Sequence, residues 1–273
     1  MRRFGLLNHP EIPESLRLAR DTEATLRALG ASVWQASAWD EADVLHKQPR
    51  TDLLITFGGD GTIVRTARVT AGHDLPILGV NLGRLGFLAE LEPAELPDKL
   101  EALVAGTYWL EERAMLHAVV ERARQEEVSF EALNDVVVSR GRVARTVRLD
   151  TYIDGQFLTQ YVADGVIVAT ATGSTAYSLA AGGPIVDPRL SDILLTPIAP
   201  HLMVATSLVL PKASSVRLVL SSGQEAACTV DGQVDAALCD GDSVTVATSR
   251  HVCHFVRFDK QTRSYRALLQ RLK

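Results

Sequence analysis

The stretch from Asp52 to Thr62 constrains this chain most. A short apolar run, Leu53-Leu54-Ile55-Thr56-Phe57, passes directly into Gly58-Gly59-Asp60-Gly61-Thr62, which reads as a strand ending in a turn that presents one carboxylate. Glycines on both sides of Asp60 allow positive φ and close approach of a ligand, leaving backbone N–H groups to face phosphate oxygens. Good helix formers follow, with Ile63, Ala67 and Val69 at helical spacing, so the turn opens a helix whose N-terminus favours anions. The same four residues, Gly-Gly-Asp-Gly, also make a good hairpin turn. The neighbouring sequence has to decide between the two.

Around this stretch the rhythm is strand, helix, strand. Phe4 to Leu7 reads as a strand, Glu14 to Leu29 as an amphipathic helix closed by Gly30, and Ala31 to Ala36 as a second strand. Pro76 to Asn81 is another buried-looking strand, followed by the glycine-spaced loop Leu82-Gly83-Arg84-Leu85-Gly86-Phe87-Leu88 and a helix from Pro97 to Val104. Past Gly106 the runs become short, β-rich and broken by Gly, Asp, Pro and Ser: residues 115–121, 136–139, 147–153, 165–170, 207–210, 216–220, 226–230 and 243–247. A strand-like 254–258 leads into a terminal helix, 264–272. The expected fold is therefore α/β plus β. An N-terminal open α/β (Rossmann-like) domain spans 1–112 and is joined by the C-terminal segment 259–273, whose helix packs back on it. A mostly antiparallel, β-sandwich-like domain spans 113–258.

Composition narrows the partners. A chain of 273 residues with 28 basic and 33 acidic side chains carries net charge −5 and no Lys/Arg cluster, which argues against nucleic acid or an anionic membrane surface. Three cysteines without paired spacing fit a reduced, cytoplasmic protein. The apolar run after Met1-Arg2-Arg3 stops at Asn8-His9-Pro10, too short for a signal peptide, and no stretch is apolar enough to span a membrane.

A second informative stretch runs from Asp164-Gly165 through Thr172-Gly173-Ser174-Thr175-Ala176-Tyr177-Ser178 to Gly182-Gly183-Pro184. A buried strand gives way to hydroxyls and small residues, then to a helix expected from Thr175 to the glycine pair. Exposed hydroxyls and N–H groups suit ribose, phosphate and amide groups, and Tyr177 offers a flat wall for an aromatic ring. A Ser/Thr-capped helix start explains the same residues without a ligand. Asn134-Asp135, just before Val136-Val137-Val138, is either a turn pair or an amide and carboxylate for adenine and ribose.

Taken together, Gly58-Gly59-Asp60-Gly61-Thr62, Asn81 to Leu88, Asn134-Asp135, the 164–184 stretch and Asp231-Gly232-Gln233 resemble, in order and spacing, the motifs of the NAD kinases. The Gly-Gly-Asp-Gly-Thr turn is shared with lipid kinases and, more remotely, phosphofructokinases. The Thr-Gly-Ser-Thr-Ala-Tyr run is the specific signal. The resemblance implies phosphorylation of the adenosine ribose 2′-hydroxyl of NAD to NADP, using ATP or another phosphoryl donor and a divalent metal, Mg²⁺, carried with the triphosphate. It implies Asp60 as catalytic base, with Gly58, Gly59, Gly61 and Thr62 in the phosphate loop. Asn134, Asp135 and Thr175 become adenosine-side contacts. Asp164, Thr172, Ala176, Tyr177 and Ala199 line the rest of the dinucleotide site, Asp231 and Gly232 lie near the phosphates, and 113–258 becomes the NAD-binding domain. The resemblance also implies a homodimer or homotetramer in which a neighbouring subunit helps complete the site. Two positions depart from the family pattern: Asp135 stands where Glu is usual, and Ala171 where Pro is common.

Rival readings fit less of the chain. A lipid kinase would need an apolar pocket where the second stretch is rich in Thr, Ser and Gly. A Rossmann-type redox enzyme or dinucleotide sensor lacks its G-x-G-x-x-G, and no G-x-x-x-x-G-K-[ST] is present.

Overall fold

The computed structural model describes residues 2–83, 86–122, 126–141, 146–201, 206–221, 223 and 225–258. The chain groups into two compact units, one formed by the residues up to Glu112 with a return segment that starts at Cys253, the other by Arg113–Val252. The return comes before the expected residue 259 because Phe255 already pairs with Ile77. The expected terminal helix and the segment 259–273 lie outside the described residues.

The first unit runs β1 (Arg3–Asn8), α1 (Pro13–Ala28), β2 (Ser32–Ser37), α2 (Glu41–Lys47), β3 (Leu53–Gly58), α3 (Asp60–Val69), β4 (Ile77–Asn81) and α4 (Leu96–Ala105). Its strands are parallel in the order β2-β1-β3-β4. Parallel strands covered on both faces must be apolar along their whole length, and β3 is buried at every residue. Alternate side chains serve the two faces. Phe4, Leu6, Ile55, Phe57 and Leu78 pack with Ala19 and Leu26 of α1, while Leu7 and Leu54 pack with Trp34 and Val44 on the other side. Helix α1 begins with proline in its first turn and buries Ser15, Ala19, Thr22 and Leu26, one stripe of an amphipathic helix. Helix α2 was not expected from its sequence; the Asp40 carboxylate caps it by accepting the Asp43 N–H at 3.0 Å.

Strand order 2-1-3 reverses the winding direction between β1 and β3, and open α/β sheets bind ligands at the carboxyl ends of strands at such a point. Asn8 at the end of β1 lies beside Phe57 of β3, so the Asp60 turn leaves the sheet at this reversal. The Ser15 hydroxyl ties the two ends, accepting the His9 N–H at 2.8 Å and donating to the Phe57 carbonyl at 2.9 Å.

Strand β5 (Trp109–Glu121) carries the chain into the second unit, followed by β6 (Val128–Ala132), β7 (Asp135–Arg140), β8 (Val147–Ile153), β9 (Gln156–Ala163) and β10 (Gly165–Ala169). A single 3₁₀ turn, Gly173–Thr175, precedes α5 (Tyr177–Ala180). Then come β11 (Ile193–Ile198), β12 (Leu208–Leu210), β13 (Ser215–Leu220), β14 (Ala226–Val230), β15 (Val234–Leu238) and β16 (Ser243–Arg257). The two runs expected at 243–247 and 254–258 are one long strand. Antiparallel sheet β12-β11-β10-β7-β14-β15 faces the antiparallel strands β16-β13-β8-β9. Val136, Val138, Val166 and Leu195 from the first layer and Leu149, Val216, Leu218 and Val244 from the second share one core, which is the sandwich arrangement expected. The outer face of the first layer, with Val137, Ile167 and Leu194, is covered by Ala181 and Val186.

Candidate active site

In the first unit, β3 delivers the chain to Asp60, the first residue of α3. None of Gly58, Gly59 and Gly61 adopts positive φ, contrary to the sequence expectation. The helix starts earlier than expected, so Gly61 is already helical, and Gly59 is extended at φ −84° and ψ −176°. The constraint at Gly58 is space: a Cβ there would overlap the Thr62 side chain. The N-cap is Gly59, which has no side chain to cap the helix, and the positive pole of α3 lies at Asp60.

The Asp60 carboxylate is half-buried and held by backbone. Its Oδ2 accepts the Phe87 N–H at 2.6 Å and its Oδ1 the Leu88 N–H at 3.2 Å. A carboxylate offers about four acceptor positions, so capacity remains for a substrate hydroxyl. Gly86 lets the loop come this close, because a Cβ there would overlap the carboxylate itself. The Asn81 side chain shapes the entry to the loop, accepting the Gly83 N–H at 3.2 Å and donating to Glu92 at 3.0 Å. Arg84 and Leu85 lie outside the described residues.

In the second unit Asn134, Asp135 and Asp231 form one constellation. Asp231 and Gly232 both have positive φ in the tight turn between β14 and β15, as a type I′ hairpin turn requires. From that turn the Asp231 carboxylate accepts three backbone N–H groups: Leu133 at 2.9 Å, Asn134 at 2.7 Å and Asp135 at 3.0 Å. Asp231 thus anchors the chain that presents Asn134 and Asp135. Burial, and secondarily the Asp231 charge, push the Asp135 carboxyl up from 3.8 to about 7.

The hydroxyls of the second stretch turn inward, where exposed ones were expected. Thr170, Thr172, Ser174 and Ser178 are all buried. Thr170 Oγ1 donates to the Leu133 carbonyl at 2.7 Å and accepts the Gly173 N–H at 3.0 Å. Ser174 Oγ donates to the Ala171 carbonyl at 2.6 Å, Thr175 Oγ1 to the Thr172 carbonyl at 3.2 Å, and Thr172 Oγ1 accepts from Arg113 at 3.2 Å. With the Ser174 and Thr175 hydroxyls bonded back to carbonyls of their own segment, the chain makes a 3₁₀ turn and breaks at Ala176, φ −99° and ψ −129°, so the expected continuous helix does not form. Beyond the break Tyr177 stands out, 47% exposed.

Within this unit the expected residues fall at two ends of β10. Thr170 N–H bonds the Asn134 carbonyl at 2.9 Å, placing the 170–177 segment, Asn134, Asp135 and the Asp231-Gly232 turn together at the end of β10 marked by Ala169. Asp164 and Ala199 lie at the other end, where the Asp164 N–H bonds the Ile198 carbonyl at 2.9 Å and Ala199 has φ 45°. The Asp164 carboxylate pairs there with Arg140 at 3.4 Å. Five residues of strand separate the two groups by roughly 15 Å.

Sequence reasoning did not single out Arg257, Glu90 or Glu111. The available signal was an arginine inside the apolar run Phe255-Val256-Arg257-Phe258, since a cation in a buried strand requires partners.

Comparison with known proteins gives one answer for both units. The ATP-NAD kinase N-terminal domain model matches residues 12–108, and the ATP-NAD kinase C-terminal domain model matches residues 133–258. The NAD kinase of Dehalococcoides mccartyi strain BAV1 is 41% identical over 273 residues, 100% of this chain and 96% of that one. That of Heliobacterium modesticaldum is 49% identical over 212 residues, 77% of this chain and 75% of that one. Among solved structures, yeast NADH kinase complexed with NADH superposes with TM-score 0.89 at 28% identity, covering 100% of this chain and 87% of that one. An NAD kinase from Archaeoglobus fulgidus in complex with ATP superposes with TM-score 0.76 at 26% identity, covering 100% and 98%. The two domain models match the two parts of the chain in turn, relatives 41% and 49% identical carry the same family name, and the chain belongs to the NAD kinase family.

Proposed function

We propose that this chain transfers the γ-phosphoryl group of ATP to the 2′-hydroxyl of the adenosine ribose of NAD, giving NADP and ADP, with Asp60 as general base. The observation that carries this reading is the Asp60 carboxylate, fixed at a helix N-terminus by the Phe87 and Leu88 N–H groups. In the transfer, the ribose oxygen forms a bond to the γ-phosphorus, the bond from that phosphorus to the β,γ-bridging oxygen breaks, and Asp60 takes the hydroxyl proton. A placed base of this kind contributes roughly 10²–10⁴-fold. Gly58, Gly59, Gly61 and Thr62 form the phosphate loop in this reading, at the positive end of α3.

The donor set fits a metal that arrives with the triphosphate. Among the described residues no group of three or more His, Cys, Asp or Glu could hold a metal ion. Mg²⁺ bound by phosphate oxygens would supply neutralisation of their charge.

The second unit supplies dinucleotide recognition in this reading. Asn134, Asp135 and Thr175 take the adenosine side, with Asp231 and Gly232 supporting them from their turn. Thr172, Ala176 and Tyr177 lie beside them. Asp164 and Ala199, at the far end of β10, serve a site completed by a second copy in a homodimer or homotetramer, as their separation from Asn134 supports. The three cysteines form no disulfide, in keeping with a cytoplasmic enzyme, and no helix among the described residues is long and apolar enough to cross a membrane.

The test is a coupled assay. The purified chain is supplied with NAD or NADH, ATP and Mg²⁺, and product is read by a dehydrogenase specific for NADP(H), with diacylglycerol as a competing acceptor in a parallel labelled-phosphate assay. NADP formation supports the reading. Transfer to the lipid alone, or to no acceptor from any donor including polyphosphate, refutes it.

A further inference from the structure

Arg257, at the end of β16, is 2% exposed. A guanidinium this deep is retained only where fixed partners replace water. Its Nε donates to Glu111 Oε2 at 2.6 Å, and its Nη1 donates to the Leu88 carbonyl at 3.0 Å and to Glu90 Oε2 at 3.2 Å. The other Glu90 oxygen accepts the Phe258 N–H at 3.1 Å, so the carboxylate joins the loop to the strand that carries the arginine. Leu88 is also the residue whose N–H rests on Asp60 Oδ1. One residue is thus gripped from both sides, its N–H by the aspartate and its carbonyl by the arginine.

We infer that Arg257 is a positioning residue for phosphoryl transfer: through the Leu88 carbonyl it sets the 86–90 segment against Asp60 and thereby the direction of the Asp60 carboxylate. The inference rests on the reading of Asp60 as base. Two features support the chain of contacts. Gly86 admits the loop to a distance at which any side chain would strike the carboxylate, so a small displacement of the loop moves the N–H groups that orient it. The arginine meets Glu111, Glu90 and Leu88 in separate directions from one rigid planar group, a geometry that a lysine's point charge does not reproduce.

The experiment compares the full chain with Arg257→Lys by amide hydrogen exchange and steady-state kinetics. Exchange at Phe87 and Leu88 is expected to quicken at least about tenfold, a local opening, while the β10 amides of Val166 and Ile167 keep their rates. The kcat is expected to fall about 10²-fold, with KM for NAD held within about threefold, as for a misplaced catalytic group. In an Asp60→Asn background the same replacement should lower the residual rate by less than about twofold, because the two residues act as one unit. Unchanged exchange at Phe87 and Leu88, or losses that multiply in the double variant, would overturn the inference. If Arg257→Lys does not fold, Glu111→Gln and Glu90→Gln are read by the same criteria. A wild-type chain that makes no NADP refutes the kinase reading, whereas exchange at Phe87 and Leu88 still decides whether Arg257 holds the loop.

Discussion

Asp60 in the first unit and Asp231 in the second both accept backbone N–H groups, yet the surroundings assign them different work. Asp60 sits half-buried at the carboxyl end of an interior strand of a parallel sheet, bonded to two N–H groups of a loop and with acceptor capacity left over. Asp231 commits its carboxylate to three N–H groups of the chain that carries Asn134 and Asp135. One rests on two N–H groups of a single loop; the other holds the scaffold of neighbouring groups. A motif aspartate therefore declares its role by how much acceptor capacity its own backbone leaves free.

The contrast breaks most visibly at the first carboxylate. Asp60→Asn should lose about 10²–10⁴-fold in kcat, while its melting temperature, followed by calorimetry, stays within about 3 °C of wild type because the amide oxygen can still accept one loop N–H. A comparable fall in both would make Asp60 structural. Asp231→Ala should do the reverse. Three N–H groups lose their acceptor, and stability measured by urea unfolding should drop by about 3 kcal/mol. Retention of full stability would mean that the turn is not an anchor.

Gly86→Ala sharpens the comparison within the first unit. The new methyl must displace the loop from Asp60, and kcat should fall about tenfold or more with little change in urea midpoint; a normal kcat would show that loop contact is irrelevant. The smallest effect belongs to Asp135. Its folded value of about 7 lies above the ordinary 3.8, so between those pH values the folded chain keeps a proton that the unfolded chain has released. Stability from this group is present in full below about pH 4 and is lost as pH rises through about 7. Asp135→Asn should flatten that decline and raise the melting temperature at pH 8 by about 2–4 °C. An unaltered stability–pH curve would show that Asp135 does not titrate there.

Legibility from sequence followed the same division. Strands β1, β3 and β4 are unbroken apolar runs bounded by Gly, Pro or Asn, as burial on both faces dictates, and were legible to within a residue or two. Short or polar elements were not. Helix α2 has seven residues and one buried side chain, Val44; β9 exposes Gln156, Phe157 and Leu158; and β11 contains Pro197, which argues against a strand on local grounds, although it pairs with Val166 of β10 beyond the residues of β11 that pair with β12. At the candidate site the orientation of side chains was not legible. Sequence shows that Thr170 and Ser174 carry hydroxyls but not that the backbone consumes them. It marks Asp231 without showing that its reach is to Leu133, Asn134 and Asp135, a pairing set by sheet register nearly a hundred residues away.

The first unit is discontinuous, and this gives the chain a schedule during its synthesis. Phe255 and Val256 are fully buried in that unit, and Arg257 anchors the loop beside Asp60, yet all three are translated after the whole of the second unit. At about 5–20 residues per second, roughly ten to forty seconds separate the emergence of Asp60 from that of Arg257. Throughout that interval a nascent chain carries the glycine turn without the arginine that steadies its neighbour. A truncated product stopped anywhere within the second unit lacks the same support, so β16 closes a region whose other strands are translated before the second unit begins.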